Sequence, residues 1–153
     1  MPNDLPGADT GHRIFALSSW LHYGLGDSRS QIASVLEFAF QHSIGEGGLI
    51  GGRQRMVMIL EPWYHQIADL GCESNVLHAD ETGHQVAGKT HWLWCFATPD
   101  VTYYHIDDSR GEKALREFFF EAYNGVLVTY FWPAYKHVLC RKRQMCLVHL
   151  LRE

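Results

Sequence analysis

From residue 75 onward one pattern restricts the fold more than any other. "NVLHADETGHQVAGKTHWLWCFATPDVTYYHIDD" is rich in Val, Trp, Phe, Tyr and Thr, and turn signals at Ala87-Gly88 and Thr98-Pro99-Asp100 punctuate it at hairpin spacing. This predicts three antiparallel strands in a meander. "DSRGEKALREFFFEAY" follows, with Ser109 three residues before Glu112 as a capping box and Leu115, Phe118, Phe119 and Ala122 on one face. A helix of about three turns is expected there. Asn124-Gly125 reads as its stop, and "VLVTY" reads as a strand buried on both faces. A right-handed crossover would lay that strand parallel to the meander, beside its first strand. "QMCLVHLL" reads as a further buried strand running into a helix.

The preceding residues are helical in pattern. In "SRSQIASVLEFAFQH", Ile32, Val35, Leu36, Ala39 and Phe40 recur at helical spacing behind a Ser28 or Ser30 cap. A second helix is expected over 53–70, with Met56, Ile59, Leu60, Trp63, Ile67 and Leu70 on a stripe and Pro62 kinking or dividing it. "GEGGLIGG" lies between the two. Its spacing fails the dinucleotide fingerprint at Ile50 and no Gly-Lys-Ser/Thr follows, so it reads as a helix-to-helix loop.

Composition narrows the function classes. With 153 residues, 46% hydrophobic and 20% charged, the chain fits one domain or a core with a flanking helical segment. No apolar run approaches the roughly 18 residues of a membrane span and no signal peptide is legible, which predicts a cytoplasmic protein with no membrane partner. Cys72, Cys95, Cys140 and Cys146 read as free thiols. A net charge of −4 does not advertise nucleic-acid binding, and Arg141, Lys142 and Arg143 form the one basic cluster. That cluster reads as a solvated turn, or else as a phosphate contact. Cys140, Cys146 and His149 are too irregularly spaced for a structural zinc site. His78, His84, His91 and His105 would gather only if their strand registers agreed, and the aromatics of the meander read as sheet packing.

"VLHADETG", "GKTHWLWCFATPD", "YYHIDDSRG", "GVLVTYFWPAYKHV" and "QMCLVHLLRE", in this order, resemble the catalytic region of the insertion sequence sixty-six family of DDE transposases. "SSWLHYGLG" and "GGLIG" resemble the helical segment that precedes it. The resemblance implies a disordered N-terminus over 1–12, a helical segment over 13–75 and a partial ribonuclease-H-like domain over 76–153. The fold class expected is α/β, helices followed by an incomplete mixed sheet. It further implies DNA transposition, with three acids holding two Mg²⁺ ions that activate water or a 3′-hydroxyl against a phosphodiester. Asp80 is then the first metal ligand and catalytic residue, while Glu81 points to the opposite face by strand alternation.

Tyr130 stands where the family pattern has its second aspartate. A phenol is neutral near pH 7 and is a poor ligand for Mg²⁺, so this position is degenerate. Asp107 and Asp108 end the third strand, about 10 Å from the first, too far to share a metal pair with Asp80. The third acid would lie beyond Glu153. The expectation is a truncated copy that is inactive by itself and binds Mg²⁺ unproductively; the alternative is a non-catalytic protein that binds DNA or full-length transposase, with Arg141, Lys142 and Arg143 on DNA.

Overall fold

The structure is a computed structural model and describes residues 10–152. Nine of the twelve residues expected to form a disordered N-terminus, 1–9, lie outside the described residues, as does Glu153. The chain divides into two compact units, one ending at Pro62 and one from Trp63 to Glu153.

The first unit is helical: α1 (His12–Leu25), α2 (Arg29–Phe40) and the first part of α3 (Glu46–Glu73). Ser28 caps α2 in a capping box, accepting from the Gln31 backbone while the Gln31 side chain accepts from Ser28 N–H. The apolar face predicted for this helix buries Ile32 and Leu36 against Leu21 and Leu49. Phe38 and Phe40 stay exposed.

α3 corrects two expectations. "GEGGLIGG" is not a loop between helices, because the helix begins at Glu46 and takes in Gly47 to Gly52. Leu49 is buried, and a Cβ on Gly52 would sit 1.8 Å from the Phe15 ring, so glycine here permits α1 to approach α3 despite its poor helix propensity. Pro62 does not end the helix either. The predicted stripe is not a buried face: Ile59, Leu60, Trp63 and Leu70 are all about half exposed or more.

The second unit is a five-stranded mixed sheet with the order β3-β2-β1-β4-β5. β1 (Val76–Val86), β2 (Lys89–Ala97) and β3 (Thr102–Asp107) form the predicted antiparallel meander. Ala87 and Gly88 both take positive φ, 50° and 77°, as a tight hairpin turn requires. β4 (Tyr123–Thr129) lies parallel to β1, with Leu77 opposite Leu127, as the crossover argument predicts.

The crossover helix α4 (Glu112–Phe118) is shorter than expected, seven residues and so about two turns. Its N-cap is Gly111, and Ser109 instead accepts from the Gly111 N–H, so the predicted capping box does not form. Asn124 and Gly125 do not stop a helix; they lie inside β4. Leu115 and Phe118 of α4 pack on Leu77, Trp94, Phe96 and Leu127, with the Phe96 and Phe118 rings stacked at 3.9 Å. A short 3-10 turn (Pro133–His137) contributes buried Tyr135.

The last strand differs most from expectation. β5 is Cys140–Met145, parallel to β4 at the sheet edge, and α5 is a single turn, Leu147–Leu150. The basic cluster is therefore in a strand and not in a turn, and "QMCLVHLL" is not a buried strand, because Leu147, Val148 and Leu150 are exposed. Lys and Arg suit an edge strand, where charge discourages pairing with another chain.

Candidate active-site corner

Strand alternation in β1 sorts its side chains. Leu77, Ala79 and Glu81 face the core beneath α4, whereas Asp80 points from the other face with its side chain 55% exposed. Asp80 thus has the accessibility a metal ligand needs. Its Oδ1 accepts from the Glu81 backbone at 3.0 Å, and Oδ2 lies 3.7 Å from His149 Nε2, which α5 brings to this face.

Glu81 is the organised carboxylate of the corner. Its side chain is wholly buried, and a carboxylate there needs charged or hydrogen-bonding partners to offset lost hydration. Arg110 Nε donates to Oε1 at 3.0 Å and the Tyr135 hydroxyl donates to Oε2 at 2.6 Å. The Tyr130 hydroxyl also donates to Oε1 and accepts from Arg110 Nη2. All of these groups are spoken for.

Arg110 is held as firmly as its partner. Its guanidinium carbon lies 4.4 Å from the Trp92 ring centre and 3.8 Å from that of Trp132, a cation between two indole faces. The loop carrying it is tied down twice: Trp94 Nε1 donates to the Ser109 carbonyl and Trp132 Nε1 to the Arg110 carbonyl. Burial opposes the Arg110 charge, but the hydrogen bond and charge of Glu81 prevail and raise its pKa. Burial first, then the hydrogen bond to Glu81, pushes the Tyr130 and Tyr135 hydroxyls well above the usual tyrosine range. Both stay neutral donors.

Tyr130 therefore lies between Glu81 and His149, the neighbour of Asp80. It leaves the end of β4, stacks at a tilt on His149 with ring centres 5.2 Å apart, and turns its hydroxyl to Glu81. The contacts of Glu81 with Arg110, Tyr130 and Tyr135 were not legible from the sequence, because Arg110 comes from the connection between β3 and α4 and the two tyrosines from the connection between β4 and β5. A signal did exist: a second acid on the buried face of a strand demands a cation.

The other predicted residues disperse. In β5, Lys142 pairs with Val126 and so lies on the sheet face of Asp80, while Arg143 pairs with Leu127 on the opposite face and donates to the Val138 carbonyl at 2.7 Å. Arg141 is exposed. The three do not form one patch. His84 and His91 are cross-strand partners, but His78 is six residues further along β1, roughly 20 Å away, and His105 faces the other side, so the four histidines do not gather. Asp107 is buried, accepts from Ser109 N–H at 2.6 Å and is paired with Lys113 at 3.4 Å. Burial works against its charge, yet these donors hold its pKa below the usual carboxylate value.

The four cysteines are free. Among the described residues, Cys140, Cys146 and His149 form no group able to share an ion, and no helix is long and apolar enough to cross a membrane. No curated protein matches the chain. The model of the family described as "Transposase IS66 family" matches residues 10–153, nearly the whole length. An α/β chain with this strand order and an exposed Asp80 in its first strand accordingly belongs to the IS66 family of transposases.

Proposed function

We propose that this chain is a ribonuclease-H-like DDE transposase domain whose metal-binding corner has lost catalytic competence, so that it does not itself cleave or join DNA. The strand order β3-β2-β1-β4-β5, with an antiparallel meander and two parallel strands, supports the ribonuclease-H-like reading. Two-metal phosphoryl transfer needs several anionic oxygens around ions about 4 Å apart. The observation that carries the proposal is Tyr130, whose phenol is hydrogen-bonded to Glu81 and Arg110.

The donor set around Asp80 does not fit a pair of Mg²⁺ ions. Asp80 offers one exposed carboxylate, the neighbouring His149 is a nitrogen donor of the kind Mg²⁺ disfavours, and Glu81 is enclosed by three donors on the other face. The parent reaction would be DNA transposition of an insertion sequence in the cytoplasm, with transposon ends as the nucleic-acid partner.

Incubating the full chain with a transposon-end duplex in Mg²⁺ or Mn²⁺ should leave the DNA uncut. Cleavage that disappears in Asp80→Asn would sink the proposal. In a parallel titration, Tyr130→Asp should gain Mn²⁺ binding over the unmodified chain, since it places a second hard oxygen beside Asp80's strand. A second reading is favoured by Lys142 on the Asp80 face of an exposed edge strand: a protein that retains the transposon end without cutting it. A mobility shift at low salt, weakened in Lys142→Ala, is its expected signature.

A further inference from the structure

Among the described residues, His105 and Asp107 of β3 and Glu117 of α4 place one ligand atom each within 4.8 Å of one another. We propose that these three side chains form a site for a single Zn²⁺ ion, joining the edge strand to the crossover helix. The inference is independent of the reading of Asp80 and Tyr130. In the pairing register His105 lies across Trp94 from Glu81, on the α4 face of the sheet, whereas Asp80 is on the opposite face. This group is therefore separate from the Asp80 corner.

The two separations from His105 suit that ion. His105 Nε2 lies 3.2 Å from Glu117 Oε2 and 3.7 Å from Asp107 Oδ2. Donors about 2.0–2.2 Å from a tetrahedral Zn²⁺ are on the order of 3.3–3.6 Å from each other. An imidazole with two carboxylates selects a borderline metal over Mg²⁺, which prefers oxygen alone.

A second observation points the same way. His105 Nε2 is buried from solvent and makes no hydrogen bond, although two carboxylates flank it. An imidazolium or the Nε2–H tautomer of the neutral ring would be expected to donate to one of them, and the other tautomer would turn its lone pair toward negative charge. A cation between the three groups resolves both difficulties. His105 and Glu117 also line an open cavity of about 560 Å³ with Tyr64, Cys72 and Tyr103, which leaves room for a water or a small anion at a further position.

Lys113 is the competitor. Its ammonium lies 3.4 Å from the same Asp107 Oδ2, but it is 62% exposed and is equally close to Asp108, at 3.3 Å. It can move aside.

Chelator-stripped full-length protein, titrated with Zn²⁺ against a chromophoric chelator, should take up about one equivalent. Glu117→Gln and His105→Ala should each weaken binding by about tenfold or more. Lys113→Met should tighten it, and the double change Cys140→Ser with Cys146→Ser should leave it unaltered. Glu117 is half exposed, so that variant will fold even if His105→Ala does not, and circular dichroism checks both. Substitution of Co²⁺ should give visible absorption without thiolate charge-transfer bands in the near ultraviolet. No Zn²⁺ uptake, uptake indifferent to Glu117→Gln, or thiolate bands would each overturn the proposal.

Discussion

Two adjacent acids of one strand meet opposite fates, and the cause is the two-residue period of the pleat. Asp80 faces outward and stays accessible, while Glu81 is buried and must be neutralised by Arg110 and two tyrosine hydroxyls. Removing one partner of such a pair leaves the other buried with its charge uncompensated. Glu81→Ala should therefore destabilise the fold by about 3–5 kcal/mol, read as a shift of the denaturation midpoint at constant slope. A cost below about 1 kcal/mol would mean that Arg110 recovers its hydration by moving out. Thiol chemistry should also divide by residue. The His149 backbone N–H, then the His149 ring, lowers the Cys146 pKa, whereas burial, followed by Asp69 and Glu73, pushes Cys72 up to about 11. Iodoacetamide near pH 8 should label Cys146 first and Cys72 last, as followed by peptide mass spectrometry.

At the scale of elements, local signals succeeded where one period ruled a segment and failed where a neighbour overrode it. The meander, the Ala87-Gly88 turn and the Ser28 cap were legible because each is written within a few adjacent residues. Gly47 to Gly52 read as a loop by propensity, yet they are helical, with Leu49 buried and Phe15 of α1 occupying the space that a side chain on Gly52 would need. Gly52→Ala tests this directly: propensity alone would stabilise the helix, but the clash with Phe15 should cost about 1–3 kcal/mol, measured by thermal unfolding. The basic cluster read as a turn because charge is a surface signal and does not distinguish a turn from an edge strand. The predicted capping box at Ser109 lost to a tighter local bond, with Ser109 accepting from Gly111.

For the molecule as a whole, the tyrosines around the sheet set the response to alkali. Burial raises the pKa values of Tyr103, Tyr130 and Tyr135 above their value of about 10 in an unfolded chain, so the folded state retains protons that the unfolded state gives up. The stabilisation is complete below about pH 10 and falls as pH rises beyond it. Denaturant midpoints should be level from pH 7 to 9 and then drop, and Tyr130→Phe should make that drop shallower. The amino-acid order by itself determined the α/β class, the meander, the parallel return strand and the opposite faces of Asp80 and Glu81, because these follow from periodicity and turn chemistry acting over short spans. Only the tertiary structure decided that Arg110, Tyr130 and Tyr135 converge on Glu81, and that His105, Asp107 and Glu117 share one corner. Such groups are separated by tens of residues or by a change from strand to helix. Their meeting is set by how the crossover packs on the sheet, which no local pattern encodes.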